Sequence, residues 1–298
     1  MTTHEFGSLA RNENKFSCGL AAKYKSMRYL KKLGQIFLIN KKALKKIAEA
    51  LEIKKGETII EIGAGTGNLT GEILKKTGKL IAIEKDSRMA EILKKKFPIF
   101  PPEARLAKGG NFQFSTPQII QGDIRDVLPE ITEKFKNYKV VGNIPYYLTG
   151  RLLRIFQELK NPPKSIVLTL QKEVAERVAA QAPKMNKLSA IINLWAKPKI
   201  LFHLKPTDFY PAPKVSSSVI KLEVLPLKKR LKNEELIIQL IKIGSHQPRK
   251  TLLNNLSRIF PKNNLKNAFY ELNLGDKTRP DDLNRDLWIK LAKALHHF

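Results

Sequence analysis

Residues 58–74 read Thr-Ile-Ile-Glu-Ile-Gly-Ala-Gly-Thr-Gly-Asn-Leu-Thr-Gly-Glu-Ile-Leu. A short apolar run stops at three closely spaced glycines, and a helix-forming run follows. This predicts a strand, a tight turn and a helix. Upstream, residues 40–52 set Leu44, Ile47, Ala48 and Leu51 at helical spacing, and Gly56 follows as a stop signal. Downstream, residues 79–86 read as a second buried strand and 87–97 as a second helix. The alternation resumes at 118–126, 139–147 and 165–171, each an apolar strand ending in polar or special residues. Such alternation predicts an α/β fold, with a parallel sheet covered by helices on both faces. Ligands of these sheets bind beyond the carboxyl ends of the strands. Residues 98–118 break the pattern with Pro98, Pro101, Pro102, Gly109, Gly110 and Pro117, and read as an irregular insertion or long loop.

Near residue 225 the character changes. Residues 233–243, 250–260, 265–272 and 286–296 carry helical periodicity with no further strand signal. The expected organisation is a flexible basic arm over 1–27, a Rossmann-like domain over 28–225 and a small all-α domain over 226–298. The 298 residues, 42% hydrophobic, suffice for two cores. The 55 Lys and Arg outnumber 27 Asp and Glu, for a net charge of +28. So basic a surface gains affinity from a polyanion by releasing its counterions, which favours nucleic acid. Composition does not choose between RNA, DNA and an anionic membrane. Cys18 is the only cysteine, and the five histidines are scattered. That predicts a metal-free mechanism in a reducing compartment. No apolar run approaches the roughly 20 residues needed to span a bilayer, and the first residues lack the apolar core of a secretory signal. A soluble cytoplasmic protein without membrane contact is expected.

The turn Glu61-Ile62-Gly63-Ala64-Gly65-Thr66-Gly67 lets a ligand approach the backbone. Its GxGxG spacing differs from the GxGxxG of dinucleotide folds. Glu61 precedes the turn, where an acid can face the ammonium of an amino-acid-like ligand. Glu84 ends the second strand, where a carboxylate can accept both ribose hydroxyls. Asp123 ends the third strand in a Gly-Asp pair, placed to meet an adenine amino group. With Gly63, Gly65 and Gly67, these acids favour S-adenosylmethionine over a tight turn flanked by surface acids.

Asn143-Ile144-Pro145-Tyr146 follows the fourth strand. The exocyclic nitrogen of adenine is a poor nucleophile because its lone pair is delocalised into the ring. The Asn143 amide oxygen and the Ile144 carbonyl can each accept one of its N–H groups. Those bonds strengthen as the nitrogen becomes tetrahedral and positive, so they favour the transition state. Pro145 stiffens the turn, and Tyr146 offers a face for stacking, worth about 1–3 kcal/mol per base. Attack on a sulfonium methyl then needs alignment, not a covalent enzyme intermediate. In Phe209-Tyr210-Pro211-Ala212-Pro213-Lys214-Val215, Phe209 is expected to complete an aromatic clamp with Tyr146 around an extruded base. Lys214 is a candidate phosphate ligand.

Taken in order, these segments resemble the ribosomal RNA adenine dimethyltransferases of the KsgA/RsmA type. Residues Lys32 to Leu38, the GAGTG loop, Glu84, Asn143 to Tyr146, Phe209 to Val215 and His246 to Leu256 carry the likeness, which spans about 28–296. The resemblance implies two successive methyl transfers from S-adenosylmethionine to each of two adjacent adenosines. These lie in the hairpin loop near the 3′ end of small-subunit (16S) rRNA, and the true substrate is the immature small ribosomal subunit. It implies that Gln35, Leu38, Gly63, Glu84, Asp123 and Asn143 line the donor site. One departure falls at Ile36, where the family carries Asn, so a polar side-chain contact to the donor is lost. The insertion at 98–118 is also longer than the family's. A monomer is expected. Arg249 and Lys250, with other cations of 242–258 and Lys228, Lys229 and Arg230, are expected to meet rRNA phosphates.

Three other functions share parts of this pattern. Erm-type enzymes dimethylate large-subunit rRNA on the same fold, but the HQPRKTLLNNL segment and basic helical tail favour the small subunit. A non-catalytic assembly or transcription factor would not need an intact Asn143–Tyr146 segment. A DNA adenine methyltransferase needs a larger recognition domain than the helical tail leaves.

Overall fold

The computed structural model describes residues 34–98, 116–227, 231 and 233–296. The arm at 1–27, Lys32 and Leu33, most of the 98–118 insertion and Lys228 to Arg230 lie outside the described residues.

A seven-stranded sheet runs in the order β4-β3-β2-β5-β6-β9-β7. Its strands are β2 (Thr58–Ile62), β3 (Leu80–Glu84), β4 (Gln118–Gln121), β5 (Tyr138–Asn143), β6 (Ser165–Gln171), β7 (Ala196–Leu204) and β9 (Ser217–Val224). β4 to β6 are parallel, as the alternating pattern predicts. β9 pairs antiparallel with both β6 and β7, so the sheet is mixed rather than parallel throughout. β7 hides from sequence reading because it is an edge strand with Lys197, Pro198, Lys199 and His203 within it. Pro is tolerated at an edge, where its missing N–H is not needed. A separate two-stranded ribbon pairs β1 (Phe37–Leu38) with β8 (Phe209–Tyr210) in antiparallel register.

The period-2 alternation of each strand sorts its side chains between two cores. Ile60, Ile62, Ile83, Val140 and Ile166 face one, with Leu128 and Ile131 of α4 (Ile124–Thr132) and Leu152 and Phe156 of α5 (Thr149–Glu158). Ile59, Leu80, Val141 and Val167 face the other, with Leu44 and Ile47 of α1 (Lys41–Ala50) and Leu69 and Ile73 of α2 (Asn68–Leu74). Helices therefore cover both faces. Each buried Ile or Leu contributes about 1.5–3 kcal/mol relative to exposure. Helix α3 (Ser87–Lys96) adds Leu93 against Ala64 and Ala82.

Beyond α6 (Lys172–Ala179), α7 (Lys187–Trp195) buries Ala190 and Leu194 in a third core. That core is shared with α8 (Glu234–Gly244), α9 (Leu252–Leu256), α10 (Lys262–Glu271) and α11 (Arg285–His296). The helix read over 250–260 is thus shorter, because Thr251 caps its start and the chain turns after Leu256.

Two close approaches tie the sheet to what lies beyond it. Lys139 is buried and donates to Glu57 at 2.8 Å and to the carbonyls of Leu51 and Glu52. Gly142 stands where β5 meets β2, and a Cβ there would lie 2.7 Å from the Ile62 carbonyl. Gly142→Ala is expected to force the strands apart just before Asn143 and to destabilise the fold by about 2–3 kcal/mol. Chemical denaturation of the purified variant measures this.

Candidate active site

The chain lays β3 and β4 on one side of β2, then crosses to lay β5 and β6 on the other. A crevice opens at such a reversal, beyond the strands' carboxyl ends. The cavity found there is lined by Gly34, Gln35, Ile36, Phe37 and Leu38, by Glu61, Gly63 and Gly65, by Glu84 and Asp123, and by Asn143, Ile144, Pro145, Tyr146 and Tyr147. Twelve of the residues picked from the sequence therefore meet in one place. Two do not. Gly67 lies one turn away as the left-handed cap of α2, where a Cβ would collide with Leu93 and Phe97 at 2.7 Å. Phe209 is 3% exposed in the core with Leu38 and Leu44. The register of β8 with β1 places Phe209 opposite Leu38, and its ring is buried there rather than lining the cavity.

The glycine turn is not a phosphate cradle. The amides of Gly63 and Ala64 donate to the Ile83 carbonyl, that of Gly67 to the Ala64 carbonyl, and that of Gly65 to Glu84 Oε2 at 2.7 Å. With those amides engaged, the cavity's electrostatics are set by its carboxylates. Glu61 is buried against the Thr70 hydroxyl at 2.6 Å. Burial, reinforced by the nearby Glu84 charge, pushes its carboxyl up to about 8 against the opposing Thr70 bond. Glu84 is raised as well, chiefly by burial, although the Asp86 and Gly65 amides hold its oxygens. Carboxyl groups raised in this way become carboxylates most readily beside a bound cation, so the cavity suits a cation better than a phosphate.

Asp123 does not end the third strand. β4 stops at Gln121, and Asp123 caps α4 by accepting from the Arg125 amide at 3.0 Å. Arg125 Nη2 at 2.6 Å and Lys85 at 2.8 Å also hold its carboxylate, and the Arg125 bond keeps it well below the usual range. Sequence reading missed Asp86, which receives the Gln35 amide at 2.7 Å and so fixes that side chain. An Asp before the run Ser-Arg-Met is a cap signal that was open to reading.

Asn143 Nδ2 donates to the Ile36 carbonyl at 2.8 Å. A carbonyl cannot donate, so the amide nitrogen must face it and Oδ1 must point the other way. The anchor is the main chain of residue 36. Replacing the family's Asn by Ile leaves this bond untouched, and the Ile36 side chain packs beside the apolar core. The Tyr146 hydroxyl is 2.7 Å from Ser217 Oγ at the start of β9. Ser217 is fully buried and carried no signal in the sequence, because only the pairing of β9 with β6 brings it near.

Outside the cavity, Lys214, Arg249 and Lys250 are exposed. The Arg249–Lys250 turn is braced by buried Asn255, which donates to the Gln247 and Thr251 carbonyls and accepts from the Gln247 amide. Among the described residues no group of three or more His, Cys, Asp or Glu is placed to hold a metal, and no helix is long and apolar enough to cross a membrane.

A Rossmann-like sheet ending in an antiparallel pair, with an acid-lined crevice and an Asn-Ile-Pro-Tyr segment at its rim, defines a methyltransferase. The family model described as ribosomal RNA adenine dimethylase matches residues 27–297, and the chain belongs to that family. The chain is 34% identical over 268 residues to the ribosomal RNA small subunit methyltransferase A of Lactobacillus acidophilus, covering 89% of this chain and 90% of that one. The Alkaliphilus oremlandii protein of the same name is 33% identical, with 90% and 92% covered. A solved dimethyladenosine transferase from Plasmodium falciparum superposes with a TM-score of 0.69 at 27% identity, covering 86% of this chain and 95% of that one. The 23S rRNA methyltransferase ErmE also gives 0.69, at 20% identity with 87% and 99% covered, which is a likeness of fold.

The Tyr146–Ser217 bond makes a testable pair. Ser217→Ala and Tyr146→Phe are each expected to slow methyl transfer several-fold while costing about 1 kcal/mol of stability. Their combination is expected to add nothing further, which a double-mutant cycle on single-turnover rates checks.

Proposed function

We propose that the chain transfers methyl groups from S-adenosylmethionine to the N6 amines of two adjacent adenosines near the 3′ end of small-subunit rRNA, on the immature small ribosomal subunit. The observation that carries the chemistry is the bond from Asn143 Nδ2 to the Ile36 carbonyl, which turns Oδ1 away from that carbonyl on a residue that lines the cavity. Oδ1 and the Ile144 carbonyl accept the two N–H groups of the target amine. The Tyr146 ring stacks on the base. The donor supplies an electrophilic methyl on a sulfonium. The adenine nitrogen takes that methyl, sulfur takes the bonding electron pair as a neutral thioether, and the amine sheds one proton per transfer.

In this reading Glu61 receives the donor's ammonium, Glu84 its ribose hydroxyls and Asp123 its adenine amino group. Gln35, Ile36, Leu38, Gly63 and Gly65 line the same site, and Gly67 holds the turn. The choice of small-subunit RNA rests on the names of the relatives that share about a third of this chain's residues. The α/β part, 28–225, carries the chemistry. The helical part, 226–298, docks on rRNA phosphates through Arg249 and Lys250, joined by Lys214 from the α/β part. The working form is a cytoplasmic monomer.

Two outcomes test this reading. Asn143→Ala is expected to lower the single-turnover rate on immature small subunits about 100-fold or more, with donor affinity changed far less. An unchanged rate contradicts the assignment. The second outcome follows from Glu61, which is protonated below about 8 in the unliganded protein. A bound ammonium favours the carboxylate, so binding at pH 7 releases a proton. Donor affinity should rise between pH 6 and pH 8 by up to about tenfold per unit. Calorimetry in buffers of different ionisation enthalpy reads the proton, and Glu61→Gln should abolish the dependence.

A further inference from the structure

A second concavity, an open cleft of about 480 Å³, lies between α4 and α5. Its walls repeat at helical spacing, with Arg125 and Pro129 from α4 and Arg151, Arg154 and Ile155 from α5. Arg125 and Arg151 sit in the first turns of their helices, at the strand-end side of the sheet where the catalytic cavity opens. Farther along, the charges cancel. Arg154 pairs with Glu158 at 2.8 Å and Lys160 with Glu133 at 3.2 Å. Near the cavity they do not. Arg151 is exposed, and among the described residues no carboxylate pairs with it. The Arg125 guanidinium holds Asp123 and is still 46% exposed, leaving donors for a second anion.

Between the cavity and this end of the cleft stands Tyr147. It lines the cavity, is 61% exposed, and lies within electrostatic range of Arg125. Its ring packs over Gly34, where the φ of +59° strains any residue with a side chain and a Cβ would lie 3.3 Å from the ring. An exposed aromatic fixed beside a pair of exposed guanidiniums is the combination that single-stranded nucleic acid uses, a base on the ring and phosphates on the arginines. The Tyr146 ring inside the cavity does not serve this purpose, because Ser217 ties it inward.

We propose that the RNA strand flanking the target adenosine leaves the cavity over Tyr147, with the neighbouring base stacked on its ring, and lays its phosphates on Arg125 and Arg151 in the cleft. This rests on the rRNA substrate proposed above and names the path of that substrate. Arg125 then serves both ligands, meeting an RNA phosphate directly and acting on the donor through Asp123, which it orients. The ion-paired, charge-balanced far end of the cleft marks where the phosphate track stops.

The test uses the full chain with immature small subunits and with naked small-subunit rRNA. Arg151→Glu and Tyr147→Ala are expected to weaken binding to both RNAs about tenfold. Arg151→Gln is expected to flatten the slope of log affinity against log salt by about 0.7, the loss of one phosphate contact on a single strand. Affinity for S-adenosylmethionine should be unchanged in Arg151→Glu, which shows that the variant is folded. Unchanged RNA affinity and salt slope in folded variants, with wild-type protein methylating the RNA normally, would overturn the cleft alone. Weaker binding to subunits but not to naked RNA would assign the cleft to a protein partner and also overturn it. If the wild-type protein methylates neither RNA, both the path and the substrate reading fail.

Discussion

The hydrogen bond from Asn143 to the Ile36 carbonyl joins two parts of the chain 107 residues apart. One is the end of β5, at the crevice where the sheet reverses its order. The other is the segment Gly34–Leu38, which β8 holds in place through its pairing with β1. Without that segment, the Asn143 amide has two nearly equivalent orientations. With it, only one orientation sets an amide N–H against the Ile36 carbonyl. Gly142, Ser217 and the β1–β8 ribbon all serve this geometry from different directions. Gly142 lets β5 approach β2, Ser217 holds the neighbouring tyrosine, and the ribbon presents the carbonyl.

The molecule also separates its charges. The chain carries +28 overall, yet the crevice is lined by Glu61, Glu84 and Asp123. A polyanion is drawn to the outer surface, and a cation to the interior. A donor bearing both an ammonium and a sulfonium is compatible with the inside of such a site, and an RNA with the outside. The engaged amides of the glycine turn reinforce this division, because they offer no cradle in which an RNA phosphate would compete with the donor.

Much of this was readable in the sequence where the signal is local. The five parallel strands, the helices α1 to α3 and the glycine turn follow from period and composition, whereas α4 and α5 did not, and the strand read over 118–126 stops at Gln121. Nine of the twelve cavity residues were found because strand ends in such sheets converge, while Gln35, Ile36 and Leu38 came only from the family resemblance. What escaped reading depends on long-range pairing. β7 looked unlike a strand because Pro198 and its charges suit only an edge, and edge position is a property of the whole sheet. Phe209 looked like a free aromatic on a proline-rich loop until its pairing with Leu38 buried it. Ser217 had no pattern of its own. At Ile36 the sequence displays only the changed side chain, and the main-chain bond from Asn143 to its carbonyl was not readable there.

The proposed reaction is dimethylation of adenosine in small-subunit rRNA. The most direct measurement is mass-spectrometric mapping of modified nucleotides after incubating the protein and S-adenosylmethionine with immature small subunits, and separately with naked large-subunit RNA. Dimethyladenosine at two adjacent positions near the 3′ end of the small-subunit RNA, and none in the large-subunit RNA, is the predicted result. Selective methylation of the large-subunit RNA, or transfer to neither, would contradict it.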